Sequence, residues 1–208
     1  MSSPLRPFFE HCFATQFTRY QTEWITLGLE IIEEHQEVIA SDFTWKYPAS
    51  NATERLDERL ARIVEVDAAV LGVLLYRIEH GIFRRDPAHP SLPYFAQVMK
   101  ARTGMEIYFS TEIGPRFIVM HGFGVVIGPR NRIGSNFTVY QGVTLGQRRF
   151  YQSCERILIG DHCTLFAGAM VIGALTLGDH VQVAANAVLL VDAESRSTYA
   201  GIPAAKIS

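Results

Sequence analysis

The chain has 208 residues, 48% of them hydrophobic and 19% charged, and a formal net charge of −2. This fits one large domain or two small ones with a real core, and it supplies no general attraction to nucleic acid or to an anionic membrane. No apolar run reaches the length of a membrane span, and residues 1–9 lack a charged-then-apolar leader, so the expected setting is cytoplasmic. Cys12, Cys154 and Cys163 show no paired spacing, which argues against a disulfide framework and against a zinc site.

Residues 1–103 read as an α-helical domain. From Cys12 to Ala40 the chain has few breakers, and Phe13, Phe17, Trp24, Leu27 and Ile31 follow helical spacing. Pro48, Ser50 and Asn51 mark a loop over 41–52, and Asn51 with Glu54 resembles a capping box opening a helix to about Val66. Asp67 is placed to cap the next helix, which carries Val70, Leu71, Leu74, Leu75, Ile78 and Ile82 and breaks at Asp86-Pro87. Ser91 then caps a last helix, ended by Thr103-Gly104.

Beyond residue 104 the period changes. Ile107, Ile113 and Val119 recur every six residues; after a two-residue slip the rhythm resumes at Ile127, Ile133, Val139 and Leu145. A loop at 147–156 interrupts, and Ile159, Leu165, Val171, Leu177, Val183 and Leu189 follow unbroken. Six fits neither an ordinary helix nor an ordinary strand; it is the signature of a parallel β-helix, in which three hexads make one triangular coil. One coil cannot bury its own apolar face, but a stack buries a continuous column. The fold class is therefore α+β, with helices 1–103, a hexapeptide-repeat β-helix over 104–192 with the loop 147–156 extruded, and a tail over 193–208. An open β-helix end exposes strand edges, so the helical half and the tail are candidate caps. Cys163 falls at an inward small position and reads as a core thiol.

The chemistry gathers at the slip. His121 lies two past Val119, and Gln141 lies two past Val139, so the two are expected to stack one strand spacing apart, about 4.8 Å. A histidine beside Gly122 and Gly124, where a ligand can approach the backbone, suggests general-base work.

Four segments carry a resemblance: HGFGVVIG (121–128), VYQGVTLG (139–146), AGAMVIG (167–173) and AGIPAAKI (200–207). Together they resemble serine O-acetyltransferases of the hexapeptide-repeat acyltransferases. The likeness spans about residues 65–207 and includes LLYRIEHGIF (74–83). It implies a left-handed β-helix and acetyl transfer from acetyl-CoA, as co-substrate, to a small-molecule hydroxyl. No metal is implied. The family's catalytic histidine falls on His121, which takes the acceptor's proton as the oxygen attacks the thioester. Its orienting aspartate falls on Glu106, which fixes the imidazole tautomer. Coenzyme A contacts carry over to Gly146, Ala167 and Ala185, and Lys206 is placed to meet phosphates. The family's members are homotrimers with sites at subunit junctions, and their helical halves pair two trimers.

The chain departs from the family at the acceptor side. The aspartate before the catalytic histidine, which contacts the substrate's amino group, is here Met120. The loop's Arg-His pair becomes Glu155-Arg156, leaving Arg156 to bind a carboxylate through its fork, with Gln141 beside the acceptor. A histidine after the orienting carboxylate becomes Tyr108. The coenzyme half of the site is kept and the acceptor half rewritten, so the expected acceptor is something other than free L-serine, or serine in altered form. The chain stops at Ser208, whereas family members that dock onto the next enzyme of cysteine synthesis use a longer tail ending in isoleucine; that partnership is not expected.

Three other readings stay open. One is an acetyltransferase acting on a sugar, capsule or natural-product hydroxyl or amine, which keeps His121 and changes the pocket. A second is a zinc enzyme on the same coil; His162 and His180 are 18 apart but out of phase with His121. A third is an oligomeric scaffold without catalysis.

Overall fold

The computed structural model describes residues 3–51, 53–149 and 155–208, which form two compact units, Met1–Thr103 and Gly104–Ser208. Among its described residues the first unit holds six helices: α1 (Arg6–Gln16), α2 (Thr22–Glu34), α3 (Gln36–Phe43), α4 (Leu56–Ile63), α5 (Ala68–Arg85) and α6 (Leu92–Thr103). The single helical stretch expected over 12–40 is three helices, broken at 17–21 and at His35. The apolar spacing passes through both breaks because each helix turns the same kind of face to the core: Phe13 of α1, Trp24 and Ile31 of α2 and Ile39 of α3 are all buried.

In place of the capping box expected at Asn51 and Glu54, its carboxylate half alone forms four residues later, because the Arg55 side chain has no acceptor. Glu58 accepts from the Arg55 N–H ahead of α4, while Asn51 Oδ1 closes a turn on the Thr53 N–H. The Asp67 cap forms as read, with its Oδ1 accepting from the N–H groups of Ala69 and Val70 at 3.0 and 3.2 Å. Burial opposes the charge on Asp67, but hydrogen bonds from Lys46, Tyr47 and the Val70 N–H outweigh it and hold the carboxyl below its ordinary range.

α5 is the axis of this unit. A Cβ on its Gly81 would stand 2.5 Å from Ile31 Cγ2, so glycine is what lets α2 approach. Phe95 of α6 meets Phe13 edge-on at 5.0 Å. α5 also carries a buried arginine and a buried glutamate. Arg77 grips Asp42 with two hydrogen bonds, Nε–Oδ2 at 2.8 Å and Nη2–Oδ1 at 3.1 Å. Glu79 is fully buried, and among the described residues neither carboxylate oxygen has a hydrogen-bond partner; burial pushes its carboxyl well above 4.5. Unfolded, Glu79 ionises near 4.5, whereas folded it keeps its proton to higher pH. Over that interval the native state binds the extra proton, so the unit is most stable below the interval and loses stability as pH rises through it. Glu79→Leu should therefore stabilise the helical unit at pH 8 by roughly 1–3 kcal/mol and by much less at pH 5. Urea titrations at the two pH values measure this; equal gains at both would exclude ionisation as the cause.

The second unit is the β-helix. Its strands are β1 (Glu106–Ile107), β2 (Glu112–Ile113), β3 (Ile118–Met120), β4 (Val126–Ile127), β5 (Arg132–Ile133), β6 (Thr138–Tyr140), β7 (Thr144–Gly146), β8 (Leu158–Ile159), β9 (Thr164–Leu165), β10 (Met170–Ile172), β11 (Thr176–Leu177), β12 (Gln182–Val183), β13 (Val188–Leu189), β14 (Thr198–Gly201) and β15 (Ala204–Lys206). They stack into three sheets: β1-β4-β7-β10-β13, β2-β5-β8-β11 and β3-β6-β9-β12-β14-β15. Every hexad marker is buried, and markers of successive coils pair in register, as Val119, Val139, Leu165 and Val183 do.

The glycines that follow many markers have a steric reason. At the corner between the second and third sheets, a Cβ on Gly134 would meet Asp161 Oδ1 at 2.4 Å, and one on Gly160 would meet Asp179 Oδ1 at 2.2 Å. Those carboxylates cap amides of the coil below: Asp161 accepts from the Ser135 N–H and Asp179 from the Asp161 N–H. The tail extends the third sheet. β14 pairs parallel with β12, and β15 folds back antiparallel on β14 across the cis Ile202-Pro203 bond.

Candidate functional site

The two-residue slip is a widened corner. Between the third and first sheets, the later coil turns through Gln141-Gly142, whereas the first turns through His121-Gly122-Phe123-Gly124. The extra residues close on themselves: the Phe123 N–H donates to the His121 carbonyl at 2.7 Å, and the Val125 N–H to the Gly122 carbonyl at 3.1 Å. His121 has φ +67°, a left-handed conformation that costs a residue bearing Cβ about 1–3 kcal/mol. His162 and His180 are exposed at φ +58° as well, so the conformation belongs to the coil's corners; what sets His121 apart is the inserted turn that it opens.

The expected stacking of His121 on Gln141 is replaced by another pairing. Phe123 takes the rung below Gln141, since its carbonyl accepts from the Gly142 N–H at 3.0 Å. The insertion pushes His121 out of the ladder, and its ring faces Tyr140 at 6.4 Å between centroids. Tyr140 in turn stacks on Phe166 at 5.4 Å. This aromatic pair escaped the sequence reading, although each residue directly follows a hexad marker, Val139 or Leu165. Met120 pairs with Tyr140 on the same outer stripe.

Glu106 pairs with Val126, on the strand that leaves the His121 corner. Its N–H donates to the Val125 carbonyl at 2.9 Å. It heads the outward column Glu106, Val126, Thr144, Met170 and Val188 on the first sheet.

The remaining residues divide between corners. Gln141, Ala167 and Ala185 share the His121 corner: the Gly168 N–H donates to Gln141 and the Asn186 N–H to Ala167, each at 2.8 Å. Gly146 lies at the opposite end of the first sheet, where its carbonyl accepts from the Gly173 N–H at 2.9 Å. Arg156 is exposed at that same opposite corner, one residue before the buried Ile157. A single chain thus puts His121 and Arg156 at two different corners. Within the loop, Phe150–Cys154 lie outside the described residues. Lys206 pairs with Glu194 at 2.7 Å on the exposed tail, and each holds the other charged: the lysine is shifted up and the carboxyl down. Tyr108 is 41% exposed, and its N–H donates to the Ile127 carbonyl.

His162 and His180 stack face to face at 4.8 Å on the third corner, between the second and third sheets. Among the described residues no group of three or more His, Cys, Asp or Glu side chains is arranged to hold a metal. No helix among them is long and apolar enough to cross a membrane.

A stacked three-sheet coil with a histidine on an inserted corner defines the class of hexapeptide-repeat β-helix proteins. No family model matches the chain. Its relatives include a serine acetyltransferase of Staphylococcus xylosus, 39% identical over 136 residues, and one of Helicobacter pylori, 36% identical over 136 residues. These alignments cover 65% of this chain, with 62% of the Staphylococcus protein and 79% of the Helicobacter protein. The chain therefore spans about three fifths of the former relative's length. The soybean serine acetyltransferase apoenzyme superposes over 100% of this chain and 85% of its own with TM-score 0.79 at 20% identity, a likeness of fold. The chain belongs to the serine acetyltransferase family.

Proposed function

We propose that the protein transfers the acetyl group of acetyl-CoA to the hydroxyl of a small acceptor, with His121 as general base. The observation that carries this is His121 itself, exposed at the head of the inserted turn on the widened corner of a chain in this family. The acceptor oxygen attacks the thioester carbonyl while His121 takes its proton. The tetrahedral adduct then collapses, the C–S bond breaks, and the imidazolium returns the proton to the leaving thiolate. An ester and free coenzyme A result. Glu106 orients the imidazole and stabilises its charged form. Gly146, Ala167 and Ala185 line the pantetheine path and Lys206 meets phosphates. Both substrates react while bound together, so no acyl-enzyme is needed.

The working unit is a homotrimer. The separation of His121 and Arg156 on different corners of one chain supports this, because a closed rotation brings unlike corners of neighbouring copies together. The setting is the cytoplasm, where acetyl-CoA is supplied.

The acceptor keeps a carboxylate for Arg156 and lacks a free ammonium group, since Met120 offers nothing to pair with one. Gln141 stands beside it. A sugar hydroxyl is the second reading, favoured by the apolar surface that the stacked Tyr140–Phe166 pair adds beside His121. Thiol release from acetyl-CoA, measured across L-serine, glycerate, N-acylated serine, amino alcohols and sugars, separates these. Hydroxy acids without an ammonium group should turn over fastest. L-serine as the best acceptor would refute the altered pocket, and acetyl-CoA binding without thiol release against any acceptor would favour a scaffold.

A further inference from the structure

The inward column at the loop's corner runs Thr111, Asn131, Ile157 and Leu175, with successive members joined across the coils through the Glu112, Arg132 and Leu158 N–H groups. Asn131 is 3% exposed in a column whose next two members are apolar. An amide there is costly unless it is fully used. Its Nδ2 donates to the Gly128 carbonyl at 2.8 Å, and its Oδ1 accepts from the Ile157 N–H at 2.9 Å. Its backbone N–H donates to Thr111 Oγ1 at 3.2 Å, and that hydroxyl donates to Gly128 at 2.6 Å. The Ile157 carbonyl is taken by the Arg132 N–H at 3.0 Å. Ile157, the first buried residue after the loop, is thus pinned through both backbone polar groups.

A second set of bonds ties the loop's neck from outside. The Arg148 N–H donates to Glu155 Oε2, and Gln147 Nε2 to the Glu155 carbonyl, each at 3.0 Å. The Arg148 guanidinium donates to the Leu190 carbonyl, passing Gly173, where a Cβ would stand 2.9 Å from Arg148 Nε. The residues on either side of Arg156, Glu155 and Ile157, are therefore both fixed, one by a surface carboxylate and one by a buried amide.

We propose that Asn131 and Glu155 are positioning residues for acceptor binding, a clasp that holds Arg156 at the loop's mouth so that its fork meets the acceptor carboxylate. This rests on the acetyl-transfer reading and on Arg156 as the carboxylate partner. Glu155, which stands where the family carries an arginine, then serves the loop rather than the acceptor.

The test is steady-state thiol release by the full chain, well below its melting temperature, with L-serine and glycerate as probes. Asn131→Ala, which removes both side-chain hydrogen bonds, should raise the acceptor KM roughly 3–10-fold and leave the acetyl-CoA KM unchanged. Glu155→Ala should raise it in the same direction. A mere charge effect of that change would lower the KM for an anionic acceptor. In an Arg156→Ala background neither change should have a further effect. If Asn131→Ala fails to fold, Glu155→Ala carries the same cycle. An unchanged acceptor KM, or effects that persist without Arg156, overturns the clasp alone. Turnover of sugars but of neither acid overturns it together with the role of Arg156. No thiol release by the unaltered chain overturns the reaction itself.

Discussion

His121→Ala is expected to lower kcat for thiol release by about 10²–10⁴-fold while leaving acetyl-CoA affinity unchanged. An alcohol ionises far above neutral pH and is a poor nucleophile until a base stands within hydrogen-bond reach. Removing the imidazole leaves the proximity of two bound substrates, which is why some rate should persist. The backbone at this position complicates the reading of any single variant, because φ +67° disfavours residues with Cβ. Asparagine tolerates that region better than most residues do. His121→Asn therefore removes the base while sparing the corner, and it should fall as far as His121→Ala. If the asparagine variant kept most of the rate, the corner's shape and not the imidazole would be what the reaction needs. Calorimetry with acetyl-CoA supplies the control, since the coenzyme residues Gly146, Ala167 and Ala185 contribute backbone rather than His121's side chain.

The second large effect is on stability. Asp42→Ala should destabilise the helical unit by about 3–5 kcal/mol, because it strands a buried guanidinium. Arg77 is 6% exposed and Asp42 4%, and the pair is joined by two hydrogen bonds in a fork. Burial works against the charge on Arg77, yet Asp42 more than offsets it and its affinity for the proton is raised. Replacing the pair as a whole costs far less than removing either half alone, since both charges had to leave water. Asp42→Ala combined with Arg77→Met should recover most of the loss. Both tryptophans, Trp24 and Trp45, lie in this unit, so their fluorescence during urea unfolding reports on it alone. A double variant as unstable as Asp42→Ala would mean that packing, and not the stranded charge, sets the cost.

The site was legible in part. The two-residue slip located the widened corner from the sequence, because an insertion in a strict period is visible wherever it falls. What it did to the neighbours was not visible. Counting from hexad markers put His121 over Gln141, yet the insertion closes on its own hydrogen bonds, and the rung passes to Phe123. Tyr140, in the sequence only one member of a motif, is the ring that His121 faces. Asn131 carries no signal in the sequence, where an asparagine at a turn is ordinary; only the return of the chain at Ile157, 26 residues later, gives its amide a purpose.

The helical unit shows the same division. Asp67 capped its helix as read, since a cap is made with residues two and three positions on. The long helix expected over 12–40 broke into three, because apolar spacing records which face is buried and not whether the axis continues. By itself the sequence determined the coil, its period, its interruption and the histidine on it, all of them consequences of contacts that repeat at fixed short separation. Only the tertiary structure decided which side chains meet across coils, which corner each candidate residue occupies, and that Arg77 would find Asp42 from 35 residues away while Glu79 found no one. Those outcomes depend on where distant segments come to lie, and no local pattern encodes that.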